Sequence, residues 1–332
     1  MGDEWSDALL VATRAALGFT GKGGMKLFYC KTPTPNFGDE LNPWMWSRLL
    51  PDFFDGDERE LFLGIGSILF DYFPTTSTKI VFGAGYGGYT APPTIDANWK
   101  IYFVRGKRTA DQLGLDHSLA LGDAAILLRS CVAVGAIKQY KVSFMPHWES
   151  AIYGDWQAVC SAAGIHYIDP TAMVETVLND ILTSELVISE AMHGAIAADA
   201  LRVPWIALQP VRGYNRMKWL DWASALDIEL RPHALPASNA FEMASSWVSE
   251  SQRWVQRLER RAAKLRHPAR NFFVARAAKK LSRIARSSPQ LSSDAAMQRA
   301  HGGMLEKLDE LRRDVSATFS STTLRKVAMP AG

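Results

Sequence analysis

Residues 184–208 read SELVISEAMHGAIAADALRVPWIAL, and the order of residue types in this stretch sets the expected fold. Leu186, Val187 and Ile188 make a short β-rich run. Polar and small residues fill 189–194, an alanine-rich helical pattern follows at 195–201, and Pro204 closes it before the apolar run 205–208. Strand, loop, helix, strand is the unit that builds parallel sheets with helices outside. Ligands of such sheets sit at the carboxyl ends of the strands, so the loop with Glu190, Met192 and His193 is where chemistry is expected. A helix starting at about Gly194 would aim its free N–H groups and positive dipole end at the same spot, which favours an anion. The expectation is a proton donor beside an anion site.

The same alternation extends to both sides. Apolar runs at 27–30, 61–65, 79–82 and 100–104 each end in polar or glycine residues. Asn36-Phe37-Gly38-Asp39 reads as the loop after the first, with Asn42-Pro43 opening a helix. A second series begins near Lys141, where the run 142–145 ends in Pro146-His147-Trp148-Glu149. A helix at 156–163, a strand at 166–168 and helices at 173–182 and 214–226 complete it. The expected class is α/β, with two Rossmann-like domains, 25–135 and 136–240, facing each other across a cleft in a GT-B-like way. Residues 1–24 read as an N-terminal helix and linker, and 241–332 as a basic, amphipathic helical tail. No short fixed period appears, so a solenoid is excluded.

The chain has 332 residues, 48% hydrophobic and 21% charged, as in an ordinary globular protein with room for two domains. Cys30, Cys131 and Cys160 are widely spaced and form no CxxC pair, which argues against a disulfide framework or a structural zinc and fits a reducing compartment. Asp3, Glu4, Asp7 and Arg14 break up the start where a secretion signal would need an apolar core, and no run is long enough to span a bilayer. A cytoplasmic location is expected. The net charge of +3 is concentrated in the last quarter of the chain. There Arg253, Arg257, Arg260, Arg261, Lys264, Arg266, Arg270, Arg276, Lys279, Lys280, Arg283 and Arg286 are opposed by Glu259 alone. Trp254, Leu258 and Leu265, then Phe273, Ala277, Leu281 and Ile284, recur opposite them at helical spacing. That arrangement suits a helix lying on an anionic membrane surface better than nucleic acid, at about 1 kcal/mol per cation. Met304, Leu308, Leu311 and Val315 form a last stripe, long enough to pack on a neighbour.

Several residues could carry chemistry. His193 is either a hydrogen-bonded histidine under the cleft or an acid in it, with Gly194 leaving room for a ligand and Glu190 tuning or orienting the ring. His147 and Glu149 stand at the matching strand end, as a surface loop or as ligand contacts. Asn36, Asp39 and Asp123 close strands of the first domain, and on spacing alone Asp39 caps the helix after it. Arg105, Lys107 and Arg108 crowd one loop above a strand, which suits a carboxylate or phosphate. Arg212, Arg216 and Lys218 offer a second such cluster. Gly83-Ala84-Gly85-Tyr86-Gly87-Gly88 matches the dinucleotide fingerprint, but Tyr89 to Pro93 follow it where a helix should start, so no bound NAD is expected. No metal-spaced histidines, paired carboxylates or Ser-His-Asp grouping appear.

The set Asn36-Phe37-Gly38-Asp39-Glu40-Leu41, Val104-Arg105 before a helix, Gly122-Asp123-Ala124 and residues 189–208, in this order, resembles the polysaccharide pyruvyl transferase family. The similarity runs over about 26–226 and is to bacterial enzymes that place pyruvate ketals on exopolysaccharide repeat units, such as those of succinoglycan and xanthan. The resemblance implies a GT-B-like fold, phosphoenolpyruvate as donor substrate with no cofactor, and a glycan acceptor on a polyprenyl lipid. It makes His193, matching the family's histidine, the candidate proton donor or phosphate grip. Members often carry arginine two residues earlier, where this chain has Ala191, so Arg105, Arg108 or Arg216 would have to supply the anion clamp. A location peripheral to the inner membrane follows, with oligomerisation left open. The rival functions are a glycosyltransferase of the same architecture using a nucleotide sugar, and a non-catalytic scaffold of polysaccharide assembly.

Overall fold

A computed structural model describes residues 24–32, 34–133, 135–209, 215–245 and 269–327. The expected helix near the N-terminus and the cations from Arg253 to Arg266 lie outside the described residues. Each series of apolar runs forms its own parallel sheet. In the first, β1 (Lys26–Phe28), β2 (Glu60–Leu63), β3 (Thr78–Phe82) and β4 (Trp99–Phe103) pair in chain order. Phe62, Leu63, Val81 and Phe82 are fully buried, as strands covered on both faces must be. Since the order never reverses, this sheet has no switch point of its own. The second comprises β5 (Ser143–Met145), β6 (His166–Tyr167), β7 (Val187–Ser189), β8 (Trp205–Gln209) and β9 (His233–Ala234), in the order β6-β5-β7-β8-β9. The strand order reverses here, with β6 on one side of β5 and β7 on the other, so a crevice opens beyond the carboxyl ends of β5 and β7.

The helices differ from expectation mainly in where they start. Helix α1 (Phe37–Leu49) begins five residues before the expected Asn42-Pro43, with Asn36 as its N-cap and Pro43 inside it. Proline has no N–H for the Asp39 carbonyl one turn back, and Asn42 Nδ2 donates to that oxygen instead, at 3.3 Å. Asn42 also exchanges hydrogen bonds with the Ile65 backbone, at 3.0 and 2.9 Å, tying α1 to the end of β2. The short α2 (Lys107–Leu113) follows β4. In the second series come α3 (Trp148–Tyr153), α4 (Trp156–Ala163), α5 (Val174–Leu182), α6 (Met192–Ala200) and α7 (Arg216–Ala225), then α8 (Ala240–Ser245). Helix α6 is buried from Gly194 to Ala200 on every side, which its run of alanines permits. It lies against the 3-10 segment Ala124–Ser130 and shares one core with residues of both sheets.

The C-terminal part is a structural element, which corrects its reading as a tail. Helix α9 (Arg270–Ile284) packs on α4, burying Phe273, Ala277, Leu281 and Ile284, the stripe assigned above to a membrane. Gln290 then bonds the Trp205 backbone in both directions, at 3.0 and 2.7 Å. The buried Asp199 carboxylate accepts from Ser292 N and Oγ at 2.8 and 2.6 Å. Helix α10 (Asp294–Val327) returns to the first sheet, where Met304, Leu308 and Leu311 join the core that holds Phe82 and Phe103. Tyr102 Oη donates to Asp314 at 2.6 Å. No described helix is long and apolar enough to cross a membrane.

Candidate active site

A cleft of about 470 Å³ lies between the carboxyl ends of the two sheets, within the size range of small-ligand sites. From the first series it is lined by Asn36, Gly38, Asp39, Ser67, Phe70 and Tyr89, and from the second by His147, Trp148, Glu190, Ala191 and His193, with Lys218 on α7. The backbone joins the two sides here, with Phe37 N donating to Pro170 O at 2.8 Å. Three helices of at least two turns, α1, α6 and α7, present their N-termini to the cleft, so their peptide dipoles favour an anion there. Asn36 caps α1 through Asp39 N at 3.1 Å, and Asn215 caps α7 through Met217 N at 3.2 Å. At α6 the N-cap is Ala191, which has no side chain to give; Gly194 N donates to Ala191 O at 3.0 Å, and the Met192 and His193 N–H groups remain for an anion.

Because α6 starts at Met192, two residues earlier than Gly194, His193 sits in its first turn and is held by the helix. Its side chain is 16% exposed. The imidazole lies directly over Gly38, where an added Cβ would come within 2.1 Å of Nδ1. This is why the loop-like Asn-Phe-Gly-Asp segment needs glycine inside a helix. On the far side, Nε2 stands 3.7 Å from Asp123 Oδ2, and Asp123 is fully buried. Asp39, in the cleft, accepts from Asn36 Nδ2 at 2.7 Å. Burial raises its carboxyl pKa against the opposing effects of the Asn36 bond and of the charges on His193 and Lys218.

His147 lines the same cleft, with a third of its side chain exposed. Burial, assisted by Lys218, lowers its pKa to about 4, so it is uncharged at neutral pH. Glu190 directly follows β7. Its Oε2 accepts from the backbone N–H of His147 at 2.7 Å and so joins the ends of β5 and β7 across the switch point. Glu149 stands outside the lining, its Oε2 3.6 Å from His147 Nδ1.

The arginines are placed differently from expectation. Arg105 does not line the cleft. Its side chain is fully buried, donating from Nε to Asp221 at 2.9 Å, from Nη1 to Ser67 Oγ at 2.6 Å and from Nη2 to Tyr86 O at 3.2 Å. Asp221 also accepts from Thr109 N and Oγ1, at 2.9 and 2.6 Å, so this network locks the end of β4 to α7. Gly85, from the fingerprint-like run, supports it: a Cβ there would lie 2.1 Å from the guanidinium carbon. No helix follows that run. Arg108 and Arg216 are exposed on α2 and α7, outside the lining. Gly194 serves packing and not ligand room, since a Cβ would meet Met145 Sδ and Ser189 Oγ at 2.5 Å each. Among the described residues the Lys or Arg side chain that reaches the cleft is Lys218, its ammonium 4.7 Å above the Tyr89 ring.

The sequence pattern of the polysaccharide pyruvyl transferase family matches residues 28–210, which supply most of this cleft. The succinoglycan biosynthesis protein ExoV of Rhizobium meliloti (strain 1021) is 37% identical over 314 residues, covering 87% of this chain and 99% of that protein. That coverage extends beyond the family pattern, so the likeness is to the whole protein and not to a borrowed domain. With its two parallel sheets, its histidine at a helix N-terminus and this match, the chain belongs to the polysaccharide pyruvyl transferase family and is a polysaccharide pyruvyltransferase.

Proposed function

We propose that the enzyme transfers pyruvate from phosphoenolpyruvate to a sugar of an exopolysaccharide repeat unit, forming a pyruvate ketal, and that the two sheets act as the halves of a GT-B-like cleft. The observation that carries this is His193 at the uncapped N-terminus of α6, with Lys218 across the cleft. The donor's phosphate or carboxylate takes the free N–H groups of α6 and the Lys218 ammonium, in place of the arginine absent at Ala191. His193 gives a proton to the methylene carbon, and cation character develops at the neighbouring carbon. One sugar hydroxyl adds there and gives its proton to the Asp39 carboxylate, which passes it to the departing phosphate. The second hydroxyl closes the ketal as its proton restores His193. The reaction needs no cofactor.

In a thermal-shift assay, phosphoenolpyruvate at about 100 times its Kd should stabilise the enzyme by about 2.7 kcal/mol, while uridine diphosphate leaves it unmoved. The opposite result would identify a nucleotide-sugar glycosyltransferase. Mass spectrometry of lipid-linked intermediates incubated with the donor should show the added pyruvyl group with release of phosphate. Its absence from every acceptor would leave a scaffold.

The acceptor is a polyprenyl-linked glycan, reached from the cytoplasmic side of the inner membrane. What supports contact with an anionic surface is the outer face of α9 with the turn after it, where Arg276, Lys279 and Arg283 on the helix and Arg286 in the turn are exposed while the apolar face is spent on packing. Attraction is then electrostatic, at about 1 kcal/mol per cation. Reversing these four residues to glutamate should abolish cosedimentation with anionic vesicles at low salt, and undiminished binding would refute the contact.

A further inference from the structure

We propose that Asp123 is a positioning residue for the transfer reaction, holding the His193 ring by its Nε2–H so that Nδ1 is the nitrogen that exchanges a proton with the substrate. This rests on the reading of His193 as the acid. Two buried polar atoms without a hydrogen-bond partner face each other here: Asp123 Oδ2 and His193 Nε2, 3.7 Å apart. A buried carboxylate oxygen left unpaired is costly, and a buried ring nitrogen likewise. Both costs vanish if the groups meet. The gap exceeds an ordinary N–H···O separation by less than an ångström, and such bonds commonly tighten when substrate binds.

Asp123 is poorly able to turn elsewhere. Its Oδ1 accepts from Ala125 N at 3.0 Å, capping the segment Ala124–Ser130, in which Ala124 to Leu128 are all buried. The turn before it depends on Gly122, whose φ of 131° suits glycine alone. On the other side of the ring, Gly38 has no side chain to push the imidazole off this line, and Gly38 itself lines the cleft beneath Nδ1. The other charged or titratable groups near the ring are Asp39 on α1, Lys218 on α7, and His147 and Glu190 at the strand ends. Glu190 accepts from the His147 backbone N–H at 2.7 Å. The ring is thus held between a carboxylate in the first half of the chain and a helix in the second.

The proton balance is simple. Nδ1–H gives its proton to the enol methylene, and the bonding pair stays on Nδ1. The imidazolium becomes a neutral imidazole that keeps Nε2–H toward Asp123, and the positive charge appears on the donor carbon that the sugar attacks. A ring protonated only at Nδ1 could give that proton up only as an anion, a far weaker acid. An asparagine at 123 can turn its NH2 toward Nε2 and favour that wrong tautomer, as is known for serine-protease triads.

The test uses the full chain labelled with 15N-histidine, the His193 signals being assigned by their loss in His193→Gln. The neutral wild-type ring should carry its proton on Nε2, and Asp123→Asn should shift that pattern toward Nδ1. Turnover with phosphoenolpyruvate should fall about 100-fold or more while KM for the donor changes less than about twofold. Should the asparagine variant fail to fold, Asp123→Ser keeps the cap on Ala125 while withdrawing the second oxygen, and the same kinetic split is expected. A wild-type ring protonated on Nδ1, or turnover within about threefold of wild type in a folded variant, overturns the proposal. If phosphoenolpyruvate proves not to be the donor, the kinetic signal disappears altogether while the tautomer measurement still decides what Asp123 does.

Discussion

Replacing His193 by alanine is expected to lower turnover with phosphoenolpyruvate by about 100-fold to 10,000-fold, the usual cost of removing a general acid. The loss should fall on kcat, because the α6 N–H groups and Lys218, the proposed anion grip, are untouched. The second histidine of the cleft cannot stand in. Burial holds the His147 ring uncharged at neutral pH, its pKa lowered to about 4, so it has no ready proton to give. The fold should survive, since the substitution removes a ring that lines a cavity. Single-turnover rates of the alanine variant within tenfold of wild type, at saturating donor and with an unchanged melting curve, would remove His193 from the proton-transfer role.

The largest effect on stability is expected from deleting everything after Ser245. Such a chain loses Phe273, Leu281, Ile284, Met297, Met304, Leu308 and Leu311 from its two cores, all buried. At about 1.5–3 kcal/mol for each large apolar side chain buried, the loss is roughly 10 kcal/mol or more. That matches the whole net stability of a typical domain, about 5–15 kcal/mol. It also strips the Trp205 backbone of its Gln290 partner and leaves the buried Asp199 carboxylate without Ser292. The truncated chain should show no cooperative melting transition and should bind hydrophobic dyes. A sharp transition near that of the intact protein would mean that α9 and α10 are dispensable. The outcome separates a helix that belongs to the fold from a tail that merely visits a membrane.

The contrast between these regions shows what sequence periodicity carries. The α/β alternation was legible because buried parallel strands are continuous apolar runs ending in glycine or polar residues, and each run from Leu27 to Leu208 formed a strand close to its expected place. The stripe Phe273, Ala277, Leu281, Ile284 was read correctly as one face of a helix, but periodicity says only that a face is covered, not by what. Arg105 was misplaced for a related reason. A cation above a strand looks free in one dimension, and its partner Asp221 is distant in the chain. Lys218 lay in the second of two basic clusters, and no local signal set it above Arg216. The early start of α6 was hidden because Ala191 carries no helix-initiating side chain; that of α1 was masked by Gly38 and Pro43 inside the helix, although Asn36 with an acidic residue three positions on was a cue.

Gly38 also sets a limit on how this cleft can be re-engineered or can diverge. Since the ring at 193 occupies the very volume a methyl group at 38 would fill, neither position can be exchanged without regard to the other. A library that randomises the Asn-Phe-Gly-Asp segment to widen acceptor choice would evict the imidazole in nearly every member. Useful diversity has to be sought at the rim instead, around Phe70, Tyr89 and Trp148, where side chains border the same space without bearing on the histidine.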